Sequence, residues 1–281
     1  MIKYLVLLLL MYCSQSWADC TIKMVFKLGD KSPLMAAAPD NSGIFEDLYT
    51  EAAKRINCKL TITRLPKQRL HSGLKRGDYD FYPAASFSKK RSEYLIYHDN
   101  GLITSEYGIS SNNLPEISSL NQLADYDNLI WLMESNSSKS EIAQRLGIYS
   151  QQIKYVNIDV LGEFVRTRPQ YKYFYIIDIE VLNTFTLLNS KQALNNLGLR
   201  LHPKCCSEQK KMFLAFSSFS KHLSETNNEY FDQNKNLSPE NQVSKAKTNS
   251  IAFKFFSALK ALKVEGKTKE IYERWNAAIK K

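Results

Sequence analysis

The sequence predicts an α/β protein built from two sheet units. Three observations carry that prediction. Strand and helix patterns alternate from Thr21 to Ala85 in the order strand–helix–strand–helix–strand, which requires a parallel sheet with right-handed crossovers. A second alternation starts near Asn128. A late apolar run, Lys211–Ser217, then returns as a strand before two closing helices. With 281 residues, 44% hydrophobic and 23% charged, the chain has material for one large or two smaller cores.

In order, Met1–Lys3 and the apolar run Tyr4–Cys13 form a positive n-region and an h-region, followed by the small-x-small pattern Ser16-Trp17-Ala18. A spanning helix needs about twenty apolar residues, so residues 1–18 read as a cleaved signal peptide. The expected location is the periplasm of a Gram-negative bacterium. Loss of Lys3 takes the formal charge from +10 to +9. Basic residues are scattered, without an aromatic-interleaved stripe or zinc-finger spacing. No nucleic-acid partner is expected, and the surplus reads as a solvated surface with a preference for anionic ligands.

Thr21–Leu28 alternates Ile22, Met24, Phe26 and Leu28 with Lys23, Val25 and Lys27, as a strand does. Gly29–Ser42 is a loop punctuated by Pro33 and Pro39. Ile44, Phe45, Leu48, Tyr49, Ala52, Ala53 and Ile56 share one helical face. Lys59–Leu65 reads as the second strand. Cys20 and Cys58 open strands that lie side by side in such a unit, so they are expected to form a disulfide. Cys205 and Cys206 then pair with each other or remain thiols. His202 with these two makes a His-x-x-Cys-Cys run, but no further ligands stand at metal-site spacing. No metal or cofactor is expected.

A short helix, a Gly77-Asp78 turn and a strand Asp80–Ala85 lead into Ser86-Phe87-Ser88-Lys89-Lys90-Arg91. Two hydroxyls, backbone N–H groups and a guanidinium at a strand end suit a small carboxylate or other anion. A polar turn with a solvated basic cluster accounts for the same residues. Further on, Leu102–Ser110 is extended, Asn128–Met133 is a strand, and Ser135–Glu141 opens a helix ending near Gly147. A Ser-rich helix start can hold an anion or simply cap. Lys154–Ile158 reads as a strand, Val160–Thr167 as a helix, and Tyr173–Ile177 as a strand before Asp178 and the helix Ile179–Leu188. Residues 224–250 are strongly polar and read as a mobile insertion. Ile251, Phe255, Leu259 and Leu262 mark a helix.

Gly77, Asp80, Ser86, Ser88, Arg91 and Tyr97-His98-Asp99 together resemble the signature region of the periplasmic solute-binding protein family 3, the amino-acid-type receptors of ABC importers. Gly43–Leu48 matches that family's Gly-aromatic-x-x-Asp-Leu helix start in all but the aromatic, and Gly266–Trp275 its closing helix. His98-Asp99-Asn100 departs from the usual Ser-x-Pro, and Lys89 stands where Glu is common. The resemblance implies a two-lobed periplasmic-binding-protein-like fold of type 2. Each lobe is then a mostly parallel sheet flanked by helices, and two hinge strands join them. Lobe 1 is expected at 19–107 plus 216–281, with the polar insertion at 224–250, and lobe 2 at 108–215.

The resemblance also implies a monomer that closes on a small-molecule ligand and delivers it to an inner-membrane ABC permease. Ser86, Ser88 and Arg91 would hold an anionic group and Ser137 would add a hydroxyl. Asp178 matches the Asp that takes a ligand ammonium, though it also suits a helix N-cap. Asn136-Ser137-Ser138 lacks the Gly of the family's Gly-Thr/Ser-Thr. The loop Lys27–Pro33 lacks its aromatic platform. A sensory receptor of the same fold is the alternative. A lyase resembling cyclohexadienyl dehydratase is a further one, with Glu134 or Glu180 as general acid. The sequence contains no nucleophile elbow, His-Glu-x-x-His or phosphate loop, and an enzyme is not expected.

Overall fold

A computed structural model describes residues 20–189, 192–206 and 208–278. The expected signal peptide, 1–18, lies outside them. No described helix is long and apolar enough to cross a membrane.

The first lobe starts with β1 (Cys20–Lys27), α1 (Ile44–Lys54) and β2 (Cys58–Leu65), with β1 and β2 parallel. Helix α1 forms because its apolar residues recur on one face. Ile44, Phe45, Leu48, Tyr49, Ala52 and Ala53 are all fully buried against the sheet, each large side chain contributing roughly 1.5–3 kcal/mol. Next come α2 (Lys67–Arg76), the two-residue β3 (Phe81–Tyr82) and a single helical turn, α3 (Lys89–Ser92). Helix α2 stops at Gly77, which is left-handed (φ 74°) and packed so that a Cβ would collide with the Phe219 carbonyl. Strand β3 is shorter than the predicted Asp80–Ala85: Phe81 and Tyr82 stand in register with Phe216 and Ala215, and Pro83, which has no N–H, interrupts the ladder before the Ala85 N–H reaches the Phe213 carbonyl at 2.8 Å.

The extended segment predicted at Leu102–Ser110 is part of a 17-residue strand, β4 (Leu95–Ser111). Its first half pairs with β9 (Gln209–Ser217), and its second half pairs with β7 (Lys172–Asp178) and β8 (Leu199–His202). One strand therefore belongs to both lobes, and β9 runs beside it through the crossing. The second lobe also contains β5 (Leu129–Glu134), α4 (Lys139–Arg145), β6 (Ser150–Ile153), α5 (Ile158–Thr167), α6 (Ile179–Asn189) and α7 (Ala193–Asn196). The sheet order is β2-β1-β3-β9-β4-β7-β5-β6, with β8 also on β4. One core joins residues from Ile22 to Leu102 with others from Met212 to Ile271. Two further clusters lie between Ile109 and Cys205.

The strand predicted at Lys154–Ile158 is displaced to Ser150–Ile153. Asn157 ends any extension, since its side chain accepts the Val160 N–H at 2.8 Å and starts α5. Residues 224–250 have fixed partners. Strands β10 (Glu225–Asn227) and β11 (Ser244–Ala246) form a hairpin. The Gln242 amide completes backbone bonds to Tyr97 at both ends, 2.7 and 2.8 Å. Helices α8 (Ile251–Val264) and α9 (Lys267–Ala278) close the first lobe.

Two motif acids prove to be clamps. Asp80, 3% exposed, accepts the Lys23 N–H at 2.7 Å and the Ser220 hydroxyl at 2.5 Å, fastening β1 to the segment after β9. Asp47 accepts the Trp275 indole N–H at 2.6 Å and Arg274 at 2.8 Å, docking α9 on α1. His202 is likewise structural. One ring nitrogen accepts the Ile117 N–H and the other bonds the Ser110 hydroxyl, and among the described residues no His/Cys/Asp/Glu group could hold a metal.

Cys205 and Cys206 pair with each other, and Cys20 pairs with Cys58 in direct register across the two parallel strands, Cα to Cα 4.5 Å. The Cys20–Cys58 link closes a long loop at the edge of the first sheet. Replacing both residues by Ser should lower unfolding free energy by about 2–4 kcal/mol. Urea titration of the oxidised protein and the double variant measures it; equal midpoints would mean that strand pairing alone holds this edge.

Candidate functional site

The carboxyl ends of β1, β3, β5 and β7 all deliver residues to one cavity of about 510 Å³ between the lobes: Lys27, Tyr82, Glu134 and Asp178. This is where an open α/β sheet binds its ligand. Phe26, Phe45, Phe87, Trp131, Tyr175 and Phe213 supply aromatic wall, and Thr104 and Glu106 of β4 with Lys210–Phe213 of β9 supply the floor along the crossing strands. Pro239 and Glu240 of the polar insertion also line it, with Glu240 held by Lys211 at 3.2 Å.

The predicted residues divide. Ser86, Ser137 and Asp178 line the cavity. Ser88 is buried and caps α3, accepting the Arg91 N–H at 3.3 Å. Arg91 is 6% exposed, and its guanidinium donates to the carbonyls of Ser86 (3.0 Å) and Asn136 (2.7 Å), so it ties one lobe to the other and does not line the cavity. Asn136 is left-handed (φ 60°), a conformation Asn tolerates. It thus stands in for the missing Gly and aims its carbonyl at Arg91. The Ser137 hydroxyl accepts the Lys139 N–H at 3.3 Å. Among the described residues no side chain pairs with the Asp178 carboxylate.

Sequence reasoning missed the lysines. Lys27, Lys31, Lys67, Lys139, Lys210 and Lys211 line the cavity, against Glu106, Glu134, Asp178 and Glu240. Glu134 of the second lobe accepts Lys27 at 2.8 Å and faces Lys67 at 3.8 Å, both from the first lobe. Lys31, 4% exposed, reaches only the Tyr175 hydroxyl, at 3.4 Å, among the described residues. At the opposite wall Glu106 accepts Lys139 (2.7 Å) and Lys210 (2.6 Å). The visible signal was the charge-rich loop Lys27–Lys31, standing where an aromatic platform was expected, together with Pro66-Lys67 after β2.

Burial opposes ionisation of Glu106, but Lys139 and Lys210 outweigh it and hold its pKa down to about 2. Burial likewise opposes ionisation of Glu134, and Lys27, Lys31 and Lys67 outweigh that too. Lys67 goes the other way. Burial and the nearby Lys27, Arg91 and Lys31 charges, only partly offset by Glu134, lower it to about 7.

Superposition on solved structures relates this architecture to two-lobed binding proteins. An ancestral arginine-binding protein bound to arginine aligns with a TM-score of 0.62 at 15% identity, over 91% of this chain and 97% of that one. An amino-acid ABC transporter substrate-binding protein from Streptococcus pneumoniae, bound to L-arginine, gives 0.64 at 14% identity over 93% and 96%. A histidine kinase sensor domain with similarity to periplasmic binding proteins gives 0.65 at 13% over 92% and 96%. The fold is the two-lobed, periplasmic-binding-protein-like α/β fold of type 2. No protein-family model matches the sequence, and no curated protein does.

The Lys67 environment yields a ligand-free test. Unfolded, Lys67 keeps its proton up to its ordinary value of 10.5; folded, it releases it at about 7. Between those values the unfolded chain binds more protons, so this group's penalty on the fold is full below about pH 7 and fades as pH rises. Lys67→Met should therefore raise the melting temperature more at about pH 6 than at about pH 9. An equal shift at both would show that Lys67 is solvated.

Proposed function

We propose that this chain is a periplasmic solute-binding protein that captures a small polar solute, an amino acid or related carboxylate-bearing compound, by closure of two lobes, and serves ABC import as a monomer. We assign 19–107 plus 216–281 to lobe 1 and 108–215 to lobe 2, with β9 crossing that boundary and packing its Met212–Phe216 stretch in the first core. We assign the ligand contacts to Ser86, Ser137 and Asp178, with Ser88 and Arg91 shaping the loop around them. One observation carries the proposal: a cavity walled by both lobes is crossed by Lys27–Glu134 and Arg91–Asn136 contacts. Such a cleft gains from closure, because excluding water strengthens every charge interaction inside it. Structures of the same fold that are bound to arginine support a solute-binding reading.

The sensory alternative draws support from the histidine kinase sensor domain of this fold. A lyase finds less. Glu134 is held ionised by its lysines and is a poor general acid. Glu180 is raised to about 6 by burial, which the Thr104 hydroxyl bond only partly offsets. It does not line the cavity; it accepts Thr104 at 2.8 Å and Tyr272 at 3.0 Å beside the strand crossing.

The test is a melting curve of unfolded-and-refolded protein with the small-molecule fraction of its own periplasm. A ligand at about 100 times its Kd adds about 2.7 kcal/mol, a shift of several degrees. No stabilisation by that fraction, with the refolded protein intact by circular dichroism, would end the binding-protein proposal. Loss of uptake of the bound solute in a deletion strain separates import from sensing.

A further inference from the structure

We infer that the ligand is a small organic dianion whose charged head is held by Lys31 and Lys67, not a zwitterionic amino acid; this rests on the binding-protein reading above. At the Glu134 wall three lysines converge from β1, the following loop and the start of α2, and among the described residues only Glu134 lies within ion-pair distance of any of them. Lys27 takes that carboxylate at 2.8 Å, leaving Lys67 at 3.8 Å and Lys31 on a long bond to a neutral hydroxyl. Lys31 is 4% exposed, so water does not pay its charge. Three buried or half-buried lysines that share the single Glu134 carboxylate are under-compensated, and a bound anion lowers that cost.

The whole cavity repeats the imbalance. Six lysines face four carboxylates even with Asp178 included, and Glu106 alone serves two of those lysines. A zwitterion brings equal charges and leaves the surplus in place, whereas a dianion offsets it and favours the protonated form of Lys67. Arg91 is not the anchor, since its fork is filled by the Ser86 and Asn136 carbonyls. Lysine ammonium groups are compact point charges that suit carboxylate and phosphate oxygens alike. The shared chemistry is thus a dicarboxylate or a phosphate or phosphonate monoester, with Asp178 left to accept from a ligand hydroxyl or N–H.

Thermal shift followed by calorimetry on the purified protein decides it, using succinate and glutarate, glycerol 3-phosphate and phosphonoacetate, and glutamine and arginine as probes. Stabilisation by a member of the first or second pair is expected, and the pair that binds identifies the head group. Lys31→Gln and Lys67→Gln should each weaken that probe about 10- to 100-fold with unchanged circular dichroism. Binding of glutamine or arginine without any dianion overturns the inference and leaves the binding-protein proposal standing. Stabilisation by periplasmic extract but by no dianion overturns it as well. Unchanged Kd in both lysine variants removes Lys31 and Lys67 as the anchors.

Discussion

The ion pair between Lys27 and Glu134 joins the carboxyl end of a strand in one lobe to the carboxyl end of a strand in the other, 2.8 Å apart and largely buried. Much of the cleft depends on it. Lys27 takes the shortest contact to Glu134, which leaves Lys67 sharing that carboxylate at 3.8 Å and Lys31 on the Tyr175 hydroxyl. Arg91 adds a second crossing through carbonyls only, so it brings a further positive charge to the region and takes no negative one away. A cleft built this way is held together by its own lysines and is still short of anions.

The scaffold separates that charged region from the load-bearing contacts. Asp80 and Asp47 spend their carboxylates on strand and helix docking, far along the chain from the residues they fasten. The shared strands β4 and β9 carry the connection between lobes, and Thr104, Glu180 and Tyr272 join β4, α6 and α9 beside that crossing. Hinge closure in such folds concentrates dihedral change in a few residues at element ends. The pairing of β4 with β9 shifts register between Asp99 and Ile103, just before the crossing.

Much of this was legible in the sequence where local pattern and packing agree. The α1 stripe, the β1–β2 pair and the Cys20–Cys58 neighbours followed from periodicity, and the structure has all three. Boundaries failed where a side chain overrode the pattern, as Asn157 did by capping α5 in place of an extended Lys154–Ile158. The site was half legible. Ser86, Ser137 and Asp178 sit at strand and helix ends whose position follows from topology. Lys31 and Lys67 were hidden because a lysine on a loop or at a helix start reads as solvated, and only the fold turns these two inward. Arg91 was assigned by residue type, yet its partners are backbone carbonyls that composition cannot reveal.

The central claim is that an anion completes the charge balance and lets the lobes close. The most direct measurement is the distance between spin labels at two exposed positions, Lys54 in the first lobe and Tyr149 in the second, read by pulsed electron resonance. With the bound anion present the account predicts one short, narrow distance distribution, and a longer or broader one without it. The same distribution in both states, at saturating anion, would contradict it.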